Sequence, residues 1–442
     1  VTAQHQDTNM DPAPSPGRRS LRRVAWAALI GNFVEWFDSA AYAVMAVTIS
    51  SLFFPSGDPV ASLLATWLIF AGGFVARPIG AAFFGRYGDR IGRNRMLALC
   101  VLLMSAATFV IGVLPTYATI GLWAPFLLFV LRAIQGFTTG GEYTGSASFI
   151  VEYAPEGKRA LFSSVIPLTV GIASVAGAGL GVLITSTLSE SALASWGWRI
   201  PFWVAAPLGL IGLFIRAHVD DTPVFRALEH QKQTVARPLR EAIRVCKRQI
   251  LTLFGYSITN AVGYYLMSSY MIAYMSSSLG YSSSEAMLAN VIAMLAYSAA
   301  CPFVAMLSDR FGRKAMLLTS CIGFVILTVP AFALMPLGFG FAILGGSVLA
   351  ILVAIIGTAN VPALVEMFPP AVRSSSSAIG YSLAYVLFGG TAPFVATWLV
   401  SSTGTSLAPG FYLMALAVVS AFVVIFLFRE TKNLPLNRTE VY

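Results

Sequence analysis

Residues 89–97 read D-R-I-G-R-N-R-M-L, and residues 309–317 read D-R-F-G-R-K-A-M-L. Six of nine letters coincide at an offset of 220 residues, half of a 442-residue chain, and each copy lies between long apolar stretches. A basic, glycine-containing corner repeated at half-length predicts two related helical bundles in series. Secondary transporters use that plan and place their site where the repeats meet. A second pair supports the duplication: residues 152–159 and 366–373 both read E-x-x-P-x-x-x-R, at an offset of 214.

The apolar stretches decide the solvent. Hydrophobic residues make up 57% of the chain and charged ones 11%, against about 25% charged in a soluble domain. Only helices and closed barrels satisfy their backbone in lipid. Runs of about 20 residues without alternation select helices. Spans are expected near 24–53, 60–85, 96–114, 119–151, 160–187, 198–215, 248–276, 285–307, 315–335, 338–366, 375–401 and 408–428. The expected fold is therefore all-α integral membrane, with twelve transmembrane helices in two pseudo-symmetric six-helix bundles. The expected divisions are a disordered basic tail over 1–23, a first bundle over 24–216, a linker over 217–247, a second bundle over 248–430 and a short tail over 431–442.

Charge sets the orientation. Nearly all of the 28 Lys and Arg fall in the tails and alternate loops, beginning with the first tail. The opposite loops near 55–59, 115–118, 188–197, 277–284 and 402–407 contain none. The positive-inside rule then places both termini in the cytoplasm. The net charge of +9 reflects topology and does not indicate a nucleic-acid partner. Arg18 and Arg19 read as an anchor for the first helix, because Glu35 and Asp38 interrupt the apolar run that an export signal needs. No histidine lies in a span, and Cys100, Cys246, Cys301 and Cys321 have no metal-like spacing. With no nucleophile–base set and no phosphate loop, neither an enzyme nor a cofactor is expected.

A charge at the bilayer centre costs about 2.5–3.5 kcal/mol on insertion scales, so those retained there are functional candidates. They are Glu35, Asp38, Arg77, Arg132 and Glu142, all in the first half. Asn32, Glu35, Asp38 and Tyr42 share one helix face, and Arg132, Gln135, Thr139 and Glu142 share another. Counted from the ends of their spans, Asp38 and Arg132 reach the same depth near the midplane, about 20 Å from the basic loops. Arg132 is expected to pair with Asp38 or Glu35. One of these carboxylates would take up a proton, and Arg132 would attract a solute carboxylate and compete for the same acid. Arg77 and Glu142 read as an inner gate pair, or Arg77 as a residue snorkelling to headgroups. The second half offers Asn260, Tyr264, Tyr265, Tyr270 and Tyr274 in one span. They read as a wall for an ammonium group, or as aromatic packing. The repeated corners supply a charge latch of Asp89, Arg90, Arg93, Asp309, Arg310 and Arg313, joined by Glu152, Arg159, Glu366 and Arg373.

The repeated corner resembles the signature of the major facilitator superfamily. Gly31-Asn32-x-x-Glu35-Trp36-Phe37-Asp38, Arg77-Pro78-x-Gly80, Gln135-Gly136-x4-Gly141-Glu142-Tyr143 and Trp196-Gly197-Trp198-Arg199 resemble its metabolite:proton symporter family, over about residues 24–435. Thr259-Asn260-x3-Tyr264-Tyr265 and Glu430-Thr431-x-Asn433-x-Pro435 are most similar to the proline/betaine branch. That resemblance implies proton-coupled import of a small zwitterion such as proline or glycine betaine by alternating access. Tyr42, Arg132, Gln135, Asn260, Tyr264 and Tyr265 would face the solute, and Glu35 and Asp38 the proton. It also implies a monomer in the bacterial cytoplasmic (inner) membrane, with lipid around it and the proton gradient as the energy source. The competing readings are a symporter for 2-oxoglutarate, citrate, shikimate or a similar acid, and a transporter-like nutrient sensor. With no heptads after the last span, the coiled coil of some osmosensing members is not expected.

Overall fold

The computed structural model describes residues 18–81, 83–84, 93–139, 142–217 and 238–436. Every element among them is helical. The helices of the first half are α1 (Arg18–Val44), α2 (Ala46–Phe53), α3 (Pro59–Ala81), α4 (Arg93–Val113), α5 (Trp123–Thr138), α6 (Glu142–Tyr153), α7 (Arg159–Thr187) and α8 (Ile200–Ala217). Those of the second half are α9 (Pro238–Tyr265, running on to Ser277), α10 (Ser283–Phe311), α11 (Arg313–Leu334), α12 (Phe339–Glu366), α13 (Arg373–Thr403) and α14 (Ala408–Phe426). With α1–α2 and α5–α6 each counted as one crossing, all twelve expected spans have a helix.

Three local features depart from the expected outline. The first helix begins at Arg18, ahead of the expected residue 24, and bends by 61° at Met45. The first helix of the second half begins at Pro238, inside the expected linker, and kinks at Cys246. Proline is favoured at a first helical position because its missing N–H needs no partner there. Residues 1–17 and 218–237, expected as tail and linker, lie outside the described residues. The third feature is a π-helical turn in each of two spans of the second half, at Leu266–Tyr270 and Tyr385–Gly389. A π turn inserts a residue into the helix and is frequent at functional sites. Here it follows Tyr264 and Tyr265 in one span and starts on Tyr385 in the other.

Small residues let the helices around the midplane approach each other, as in other membrane bundles. A Cβ on Gly136 of α5 would collide with the Gly73 carbonyl of α3, and one on Gly80 with the Phe137 carbonyl. The two backbones are therefore in contact, which brings Arg77 and Arg132 towards α1. The halves meet along α7 and α10. At one end, Gly181 and Thr185 of α7 lie against Met287 of α10. The other end, which carries the basic loops, is closed by side-chain charge.

Candidate functional site

Two ion pairs lie on the inner face of the first half. Asp38 and Arg132 are each 4% exposed, and Arg132 Nη1 stands 3.5 Å from Asp38 Oδ2. Asp38 Oδ1 accepts from the Thr108 hydroxyl at 2.6 Å and from Gln135 Nε2 at 2.7 Å, while Arg132 Nη1 donates to Gln135 Oε1 at 2.9 Å. The guanidinium lies 4.5 Å from the Tyr42 ring centroid and 5.0 Å from that of Phe70. Tyr42 is held by its hydroxyl, which donates to the Thr66 carbonyl at 3.0 Å. A buried pair needs such extra hydrogen bonds to offset the loss of hydration.

The second pair joins Arg77 to α1: its Nη2 stands 3.7 Å from Glu35 Oε1. The side chain of Glu142 lies outside the described residues. The Arg77 guanidinium covers the Phe74 ring at 4.3 Å. A narrow cavity runs between the pairs, lined by Glu35, Asp38, Arg77, Arg132, Gln135 and Thr139 among others.

Across the seam, aromatic rings from both halves interlock. Trp36 of α1 packs edge-on against Tyr264 at 4.8 Å and stacks on Tyr265 at 6.1 Å. Tyr265 meets the Phe74 ring at 5.1 Å, and the Tyr264 hydroxyl shares a hydrogen bond with Ser174 of α7 at 2.9 Å. Asn260 donates to the Tyr385 hydroxyl at 3.1 Å. Tyr143 of the first half stacks flat on Tyr381 of the second at 4.7 Å, and Tyr381 on Tyr385 at 4.1 Å. Tyr270 and Tyr274 leave this wall: the Tyr274 hydroxyl donates to the Ser406 carbonyl and its ring packs on Phe332. Thr108, Trp36, Tyr143, Tyr381 and Tyr385 escaped the expected site. A threonine or tyrosine in an apolar span carries no pattern of its own; only the E-W-F-D and G-E-Y motifs flagged two of them.

At the basic end the two E-x-x-P-x-x-x-R segments pair with each other. Arg159 Nη1 stands 3.5 Å from Glu366 Oε1, and Arg373 binds Glu152. Arg313 forks onto Glu366, with Nε to Oε2 at 3.1 Å and Nη2 to Oε1 at 2.9 Å, and also donates to Asp309 at 2.8 Å. Asp309 accepts the N–H groups of Ala160 and Leu161, at 3.0 and 2.9 Å. A carboxylate of the second half thus caps the N-terminus of α7 in the first. Residues 430–436 close over the cluster. Glu430 accepts the Arg313 and Lys314 N–H groups, the Thr431 hydroxyl donates to Glu366, and the carbonyls of Leu434 and Leu436 accept from Arg159 and Arg373. Gly312, at φ +101°, makes the turn between α10 and α11, and a Cβ there would strike Glu430. Arg310 is not brought into the cluster: it is exposed and lies over the Phe311 ring. Asp89 and Arg90 lie outside the described residues, as does the side chain of Arg93.

The arrangement holds buried charge in the middle of one half, an aromatic wall opposite, and a charged closure at one end. A family profile described as sugar (and other) transporter matches residues 24–244 and again 226–442. The glycine betaine/proline/ectoine/pipecolic acid transporter OusA of Dickeya dadantii (strain 3937) is 38% identical, over 94% of this chain and 85% of that protein. The proline/betaine transporter of Escherichia coli (strain K12) is 36% identical with the same coverage. The shikimate transporter of Escherichia coli (strain K12) is 33% identical, over 95% of this chain and 98% of that protein. Among solved structures, a partially occluded inward-open conformation of the xylose transporter XylE from E. coli superposes with a TM-score of 0.76 at 16% identity. It covers 94% of this chain and all of that one, which shows the fold.

Proposed function

The chain belongs to the sugar (and other) transporter family of the major facilitator superfamily, and on that premise we propose that it imports a small zwitterion such as proline or glycine betaine, coupled to protons. It is a membrane transporter and not an enzyme. The observation that carries the coupling is the Asp38–Arg132 pair, buried at the level of the aromatic seam. A proton on Asp38 cancels its attraction for Arg132 and loosens the network through Thr108 and Gln135. Loss of the proton restores it. The energy source is the proton gradient, with no cofactor.

Transport proceeds by alternating access. In the conformation described, the charged cluster of Glu152, Arg159, Asp309, Arg313, Glu366 and Arg373 holds the basic end shut. Opening that end requires these pairs to separate while α7 and α10 part at the other. The chain works as a monomer in the bacterial inner membrane, with both termini in the cytoplasm. The relatives named for proline and betaine favour a zwitterion over the acid carried by the shikimate transporter. No Lys or Arg lies near the middle of the second half's spans, where a dicarboxylate would call for a second cation.

The test is uptake into proteoliposomes of proline, glycine betaine, 2-oxoglutarate and citrate, with and without an inward proton gradient. Gradient-dependent accumulation of the zwitterions is expected. Accumulation confined to the dicarboxylates overturns the reading.

A further inference from the structure

The two arginines of the first half are not equivalent partners for a solute. Arg132 is closed in: its guanidinium lies against the Tyr42 and Phe70 rings and is hydrogen-bonded to Gln135, and its carboxylate partner already accepts from Thr108 and Gln135. A solute carboxylate could reach it only by dismantling that network. Arg77 is more open. Its side chain is 14% exposed against 5% for Arg132, its distance of 3.7 Å to Glu35 is an ion pair beyond hydrogen-bond length, and its buried Nε, like that of Arg132, has no hydrogen-bond partner. An unmade bond at a buried charged donor is costly, and a solute oxygen there would recover it.

The surroundings of Arg77 match one kind of molecule. Glu35 is followed on α1 by Trp36, whose ring packs on both Tyr264 and Tyr265. Phe74, under the Arg77 guanidinium, touches Tyr265 from the other side. A cation and an anion thus stand side by side at the seam, among aromatic faces from both halves. A zwitterion presents the complementary dipole. A dianion would set its second carboxylate against Glu35, and such like-charge contact works against the wrong partner.

Resting on the reading that the chain carries a small zwitterion, we propose that the solute inserts into the Arg77–Glu35 pair. Its carboxylate goes to the Arg77 fork. Its ammonium sits against Glu35 and the faces of Trp36, Tyr264 and Tyr265, where a desolvated cation–π contact adds to the charge. Because these aromatic faces come from both halves, the bound solute bridges them. Arg132 stays with Asp38 on the proton side, so solute and proton occupy different pairs within one cavity.

The experiment reads discrimination rather than rate. Purified protein and its Arg77→Gln, Arg77→Lys, Glu35→Gln and Arg132→Gln variants are compared by ligand protection in thermal melting and by inhibition of proline uptake. The probes are glycine betaine against choline, which lacks the carboxylate, and proline against tetrahydrofuran-2-carboxylate, which lacks the amine. Arg77→Gln is expected to lower the betaine-over-choline preference by about tenfold or more, the scale of one lost charged contact. Arg77→Lys, which keeps the cation but not the fork, should lower it less. Glu35→Gln should lower the proline-over-tetrahydrofurancarboxylate preference instead. Protection by ligand can be read even where a variant no longer transports. If Arg132→Gln erases the betaine preference and Arg77→Gln leaves it intact, the proposal fails and the zwitterion reading stands. If the unsubstituted protein recognises neither proline nor betaine, both fail.

Discussion

Arg159, the last residue of the first E-x-x-P-x-x-x-R segment, pairs with Glu366, the first residue of the second. Glu152 and Arg373 complete the exchange in the other direction. The duplicated motif therefore acts as a reciprocal clasp: each copy supplies the acid for the other copy's base, across the two halves. This geometry needs both halves together at the basic end, so the clasp reports one conformation of the transporter and opposes the other.

Glu366 is the centre of that clasp, accepting from Arg159, Arg313 and Thr431. Glu366→Gln leaves two buried guanidiniums short of their counter-charge. Breaking a buried pair costs about 3–5 kcal/mol, and part of that is relieved by opening. The expected result is a shift towards the conformation open at the basic end, with a slower cycle. It is checked by the rate at which a thiol introduced by Tyr143→Cys, in a background without the native cysteines, reacts with a polar maleimide. An unchanged labelling rate argues against the clasp.

Asp38→Asn keeps the shape of the side chain but fixes it neutral. Accumulation of solute against its gradient is expected to vanish, while exchange of labelled for unlabelled solute continues. The check is one preparation assayed for both proton-driven uptake and counterflow. Retained accumulation moves the proton to another group.

Thr108→Val removes the 2.6 Å hydrogen bond to Asp38 Oδ1 without changing volume. A hydrogen bond to a charged group contributes about 1.5–3 kcal/mol, so proton-driven uptake should fall about tenfold or more. The KM for counterflow should stay within about twofold, because Thr108 lies on the proton side of the cavity. A rise in KM with an unchanged maximal rate would place Thr108 with the solute.

Gly136→Ala inserts a methyl group against the Gly73 carbonyl. Overpacking of this kind costs about 1–3 kcal/mol, and here it also pushes α5 from α3 and with it Arg132 from Asp38. A lower melting temperature in detergent and a loss of uptake are expected together. Gly179→Ala, where the added carbon meets nothing within 4 Å, is the control and should melt as the parent does.

The sequence by itself determined the solvent, the number of crossings, the duplication and the identity of the charges that lipid penalises. It also put Glu35 with Asp38, and Arg132 with Gln135, on common helix faces, because the 3.6-residue period fixes direction within a helix. It did not determine which acid meets which arginine. Arg132 and Arg77 both had access to the α1 stripe, and Asp38 took one and Glu35 the other only because Gly73, Gly80 and Gly136 let α3 and α5 touch. Thr108 became a partner of Asp38, and Tyr143 a partner of Tyr381, through the angles between helices. Those angles follow from side-chain packing summed over the bundle, which no local spacing records. The clasp has the same division: the repeat named its residues, and the meeting of the two halves decided that each copy pairs with the other.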